Sequence, residues 1–126
     1  MSVRSERGKA GEEYVCAYLE KRGWRIEARN YRIRGGEIDI VAVKNGILAF
    51  AEVKTRKFGS LDEGMNAVDS AKRGALIRAA QRYIEKTQPG DVQIRFDVAE
   101  VTVTTEEIPR VLDMKYYEDA FDAFSV

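Results

Sequence analysis

The sequence predicts an α/β domain, a mixed β-sheet flanked by helices. Three observations predict it. Two β-rich runs, residues 35–43 and 47–56, are joined by the polar break Lys44-Asn45-Gly46, and Asn-Gly between apolar runs is a hairpin signal. Amphipathic helical patterns stand before and after these runs. One more strand pattern follows the second helix, so three meandering strands and a helical crossover to a fourth describe a mixed sheet.

Each element has its own local warrant. Residues 5–22 repeat apolar side chains at three- and four-residue spacing through Tyr14, Val15, Ala17, Tyr18 and Leu19, with Ser5 as N-cap and Gly23 as the stop. Residues 24–34 read as a first strand in which Trp24, Ile26, Ala28 and Tyr31 interleave with Arg25, Glu27, Arg29, Arg32 and Arg34. Asn30 breaks the alternation, and a bulge or kink is expected there. Gly35-Gly36 turns the chain into the next strand. Residues 57–64 have loop composition. Residues 65–86 form the longest helix, with Val68, Ala71, Ala75, Leu76, Ala79, Ala80, Tyr83 and Ile84 as its stripe, and Pro89-Gly90-Asp91 ends that segment. Residues 92–103 are a strand and 104–109 a turn. Val111-Leu112 is expected to make a short strand, and residues 116–124 a terminal helix packing Phe121 and Phe124.

Composition bounds the function. A chain of 126 residues with 33% charged and 44% apolar side chains is one domain with a single core. No apolar run approaches the ~18 residues of a membrane span. The first residues lack the apolar core of a signal peptide. A single cysteine, Cys16, excludes an internal disulfide and suits a reducing cytoplasm, the expected location. Histidine is absent, which removes Ser-His and Cys-His nucleophile systems and His-ligated metals. Neither Gly-rich nucleotide motif is present. The net charge of zero hides a division: residues 1–86 hold 18 Lys and Arg against 12 Asp and Glu, and residues 91–126 hold 3 against 9. A basic part beside an acidic tail fits a polyanion partner.

The chemistry concentrates in the hairpin. Glu37 and Asp39 lie two apart on its first strand, Glu52 and Lys54 two apart on its second, and a period of two places each pair on one face. Carboxylates sharing a face repel and raise one another's pKa, a problem that a hard divalent cation, Mg²⁺ or Mn²⁺, removes. Lys54 sets a positive charge beside them. The plain alternative is a solvated sheet face with cross-strand ion pairs. Glu12 follows Gly11, whose missing side chain allows a close approach, so Glu12 is a candidate to point inward. Arg32 and Arg34 on the first strand, Arg56 and Lys57 after the second, and Lys72 and Arg73 on the long helix are candidates to hold phosphates; the competing reading is a solvated charged face for the strand and helix residues and a plain connector for Arg56 and Lys57.

Asp39 followed by Glu52-Val53-Lys54 resembles the Asp…Glu-x-Lys signature of restriction-endonuclease-like nucleases, whose αβββαβ core matches the order above. Gly11-Glu12, Arg29-Asn30-Tyr31-Arg32, Gly35-Gly36-Glu37-Ile38-Asp39, Glu52-Val53-Lys54-Thr55-Arg56 and Arg95-Phe96-Asp97-Val98 together resemble the YraN family, small bacterial proteins grouped with Holliday junction resolvase-like nucleases. The resemblance covers most of the chain. It departs from the wider nuclease pattern at Ile38, where a proline often precedes the aspartate. It implies a metal-dependent endonuclease acting on DNA. Asp39 and Glu52 would hold Mg²⁺ or Mn²⁺, Lys54 would position or activate water, Glu12 would complete the metal site from the helix, and Glu37, part of the family motif two residues from Asp39, would join the catalytic set. A homodimer is a further expectation, since branched DNA favours a two-fold enzyme. A nucleic-acid-binding module that keeps the core without turnover is the other reading left open.

Overall fold

A computed structural model of the chain describes residues 5–60 and 70–122. Helix α1 (Glu6–Lys21) starts where Ser5 Oγ accepts a hydrogen bond from the Gly8 N–H at 3.0 Å. It stops at Gly23, whose φ of 88° suits a residue without a Cβ. There the Trp24 N–H reaches Leu19 O and the Gly23 N–H reaches Glu20 O, and the apolar pair Leu19 and Trp24 is buried beneath this turn.

Three strands follow, β1 (Arg25–Ile33), β2 (Gly36–Lys44) and β3 (Ile47–Lys57), each antiparallel to the next. Asn45 and Gly46, at φ 48° and 76°, close the β2–β3 hairpin with the backbone that a two-residue turn requires. Helix α2 (Ser70–Thr87) carries the chain to β4 (Gln93–Val103), which lies parallel to β3, and β5 (Val111–Phe121) pairs antiparallel with β4. The sheet order is β1-β2-β3-β4-β5, so β3 is central.

One helix covers each face. Val15, Cys16 and Leu19 of α1 pack with Ile40, Ala42, Ala49, Ala51, Ala99 and Val101. Leu76, Ala79, Ala80 and Tyr83 of α2 pack with Ile38, Val41, Leu48, Phe50 and Phe96. At Gly36 the α2 backbone comes so close that a Cβ would stand 2.6 Å from the Ala75 carbonyl oxygen, so glycine is required there.

The expected mixed sheet with flanking helices is found, its αβββαβ order extended by one strand. The terminal helix expected over residues 116–124 is not. Residues up to Phe121 continue β5, and residues 123–126 lie outside the described set. Phe121, expected to pack from that helix, packs from a strand instead, as do Tyr116 and Tyr117, and Phe124 lies outside the described residues. Tyr116 stacks on Tyr18 of α1, Phe121 stacks on Phe96 at 5.3 Å, and Tyr117 pairs with Val98. The register slip in β1 falls between Ile26 and Ala28, three residues ahead of the position expected, whereas Asn30 itself adopts a left-handed φ of 52°. The expected start of the second helix at residue 65 and its Val68 lie outside the described residues.

Candidate catalytic cleft

The strand alternation that should place Glu37 and Asp39 on one face slips at the site itself. Ile38 packs under α2, yet Ile40 and Ala42 pack under α1, so Asp39 sits where β2 shifts its faces by one residue. On β1, Arg29 pairs with Ile40 and Tyr31 with Ile38, which brings the left-handed Asn30 opposite Asp39. The β2–β3 pairing begins only at Ile40 and Ala51. The ladder is therefore open at the level of Asp39 and Glu52, where side-chain atoms take over from backbone pairing. The Val53 N–H donates to Asp39 Oδ2 at 2.7 Å.

Around this point lies a cleft of about 410 Å³ lined by Glu12, Glu37, Asp39, Glu52 and Lys54, with Arg56, Lys57 and Lys72 on its walls. Asp39 is buried and Glu52 half-buried. Burial is the first cause that pushes the Asp39 carboxyl up to about 8, the negative charge of Glu52 the second; the Val53 N–H works against both. Burial also raises Glu52, opposed by Lys72, by a hydrogen bond to Asp39 and by Lys54. One proton shared between these two carboxyls thus suits the site in the absence of a cation.

Glu12 reaches the site. Gly11 faces Thr55 of β3 with no room for a Cβ between them, so α1 lies against the strand and carries the buried Glu12 into the cleft. Glu37 lines the cleft and is paired with Arg32 at 3.3 Å. Arg56 is held by the buried Glu100 at 2.5 Å. The remaining candidates lie elsewhere. Arg32 and Arg34 line a separate groove with Arg82 and Lys86, and Arg73 stands 5.8 Å from the Phe121 ring centroid. Arg25 and Arg29 of the basic strand are tied to Glu27 and Glu13.

Other residues in and around the cleft were not anticipated. Arg7 lines the cleft from the first turn of α1 together with Ser5 and Gly8. The spacing of Ser5, Gly8 and Glu12 puts them on one helix face, a signal that becomes readable once Glu12 is placed. Thr55 contributes a buried Oγ1 with no hydrogen-bond partner among the described residues. Glu100 stands beside Lys54 in the parallel β3–β4 register and anchors Arg56; only that register reveals it.

Among the described residues, no group of three or more Asp, Glu or Cys side chains is arranged to hold a metal ion unaided. The donor chemistry nevertheless fits a hard divalent cation. Mg²⁺ is commonly held by one or two carboxylates with its other positions filled by water and phosphate, and Asp39 and Glu52 are such a pair. Thr55 Oγ1, without a hydrogen-bond partner among the described residues, is a further oxygen in the same cleft.

An open α/β sheet with a carboxylate pair at a break between strands defines a site-bearing domain. Residues 11–101 match the model of the uncharacterised protein family UPF0102, and the chain belongs to that family. A UPF0102 protein of Dictyoglomus thermophilum is 39% identical over 92% of this chain and 97% of its own. One from Alkaliphilus metalliredigens is 44% identical over 79% of this chain and 88% of its own. One from Oleidesulfovibrio alaskensis is 46% identical over 79% of this chain, a match spanning only 48% of that relative. No helix of the described residues is long and apolar enough to cross a membrane.

Proposed function

We propose that the protein is a divalent-metal-dependent endonuclease of the restriction-endonuclease-like class that hydrolyses phosphodiester bonds in DNA, acting in the cytoplasm. The observation that carries the reading is the pair Asp39 and Glu52, brought into one cleft at the open point of the sheet together with Lys54 and Lys72. A pure binding surface for phosphates has no use for buried anions at its floor. A Mg²⁺ or Mn²⁺ ion on Asp39 and Glu52 would polarise the scissile phosphate and lower the pKa of a bound water.

The chain's own residues supply the rest. The Val53 N–H fixes Asp39, and Glu12 adds a third carboxylate from α1 to hydrogen-bond water in the cleft. Lys54 leaves β3 two residues after Glu52 and offers its ammonium to charge developing on the phosphate. Arg56, oriented by Glu100, and Lys57 bind flanking phosphates. A homodimer would present two such clefts to a branched substrate.

The test is cleavage of labelled linear, flapped and four-way DNAs with Mg²⁺ and with Mn²⁺, alongside folded Asp39→Ala and Lys54→Ala proteins. We expect metal-dependent cleavage that both substitutions reduce at least about 100-fold, the scale on which single electrostatic stabilisers act. Cleavage that persists in both variants would sink the assignment. Salt-sensitive binding without cleavage by any of the three proteins would favour the binding module.

A further inference from the structure

The cleft does not end at Lys57. A second groove of about 400 Å³ continues from it, sharing Arg56, Lys57 and Ser60, and its far wall is Phe58, Leu112 and Asp113. Phe58 is 68% exposed and Leu112 51%, although both sit on ordered backbone. The Phe58 N–H is bonded to Val103 O at 2.8 Å, and Leu112 lies within β5. The Phe58 backbone is thus held just past the end of β3, and among the described residues its ring joins neither core cluster.

Charge and chemistry decide the occupant. The near part of the groove, shared with the cleft, is cationic through Arg56 and Lys57, and the far part, outside the cleft, is lined by Phe58, Leu112 and the carboxylate of Asp113. A phosphate suits the near end and is repelled at the far one. A nucleobase suits the far end: its face stacks on an aromatic ring, and its amino groups donate to a carboxylate. In duplex DNA the base faces are already stacked on their neighbours, so only an unpaired base can take this place.

We propose that Phe58 is a stacking platform for an unpaired nucleobase of the strand whose phosphates lie on Arg56 and Lys57. The substrate class is then single-stranded or locally unpaired nucleic acid. This rests on the nucleic-acid reading of the cleft.

The test reads binding apart from cleavage, in an Asp39→Asn background. Fluorescence anisotropy at low salt compares a single-stranded oligodeoxynucleotide, a duplex of equal length and an abasic polymer of the same backbone. We expect the single strand to bind more tightly than the duplex. Adding Phe58→Ala should weaken single-strand binding roughly tenfold or more, whereas Phe58→Trp should retain it with quenched emission. Phe58→Ala should leave the duplex and abasic affinities unchanged. An unchanged single-strand affinity in Phe58→Ala, with the parent binding well, overturns the platform and leaves the nuclease reading intact. No binding of any strand by the parent overturns both. A concentration-dependent dimer in sedimentation, lost in Phe58→Ala without a change in DNA affinity, would assign the patch to a second copy of the chain and overturn the proposal.

Discussion

Asp39 carries a conflict that the fold sets up and that a bound cation would resolve. Its carboxyl is buried beside Glu52, with Glu12 and Glu37 adding to the negative potential, and its folded pKa lies at about 8 against an ordinary value near 4. The native state therefore binds a proton more tightly than the unfolded chain between those values, so stability declines as pH rises across the window and levels off above it. Glu52, also raised, contributes with the same sign. Without divalent cations, the melting temperature should fall from pH 5 to pH 8, and Asp39→Asn, which keeps the shape without the charge, should flatten the profile. Calorimetry in EDTA checks this; a wild-type protein equally stable at both ends would refute the shift. On the proposed metal site, metal and proton would compete for the same oxygens, so Mn²⁺ should raise the melting temperature more at pH 8 than at pH 6, and barely at all in Asp39→Asn.

At the scale of elements, the pieces with strong local signals were legible in the sequence: the Ser5 cap and Gly23 stop of α1, the Asn45-Gly46 hairpin, and β4. Glu37, Asp39, Glu52 and Lys54 were brought to one cleft as their spacing suggested, but through a slip of the strand at Asp39 that a strict two-residue period does not contain. What was not legible depends on contacts distant in sequence. β5 is a strand because it completes the edge of β4, and Asp97 fastens it there. This fully buried carboxylate accepts from Arg95 at 2.9 Å, from the Tyr116 hydroxyl at 2.6 Å and from the Asp119 N–H at 2.9 Å. Asp97→Ala leaves Arg95 only its 3.9 Å contact to the exposed Glu118 and should destabilise the protein by about 3–5 kcal/mol in denaturant unfolding. Amide exchange should quicken first along β5. Gly36→Ala forces a methyl onto the α2 backbone and should cost about 1–3 kcal/mol, read in the same unfolding assay. An unfolding midpoint unmoved by either change would contradict the packing described for that element.

For the whole molecule, the 18 cations of residues 1–86 overstate the positive surface that a nucleic acid meets. Arg25, Arg29, Arg32 and Arg56 are each paired with a carboxylate. Lys54 and Lys72 are engaged with Glu52, and Glu12, Glu37 and Asp39 face the same cleft. On the proposed reading, the position of phosphates would be set more by where the cleft carboxylates give way to Lys57 and the Glu100-paired Arg56 than by overall charge. Two consequences can be measured on single-stranded DNA. Each neutralised phosphate adds about −0.7 to the slope of log affinity against log salt, so two or three contacts give a slope of about −2. A slope several-fold steeper would mean that surface beyond this cleft dominates binding. In the absence of metal the cleft anions oppose the strand, so Glu52→Gln should tighten metal-free binding several-fold while abolishing metal-dependent cleavage. Tighter binding with lost cleavage is the signature of a carboxylate kept for chemistry at the expense of affinity. A Glu52→Gln protein that binds no better than wild type would show that the strand runs clear of the carboxylate pair.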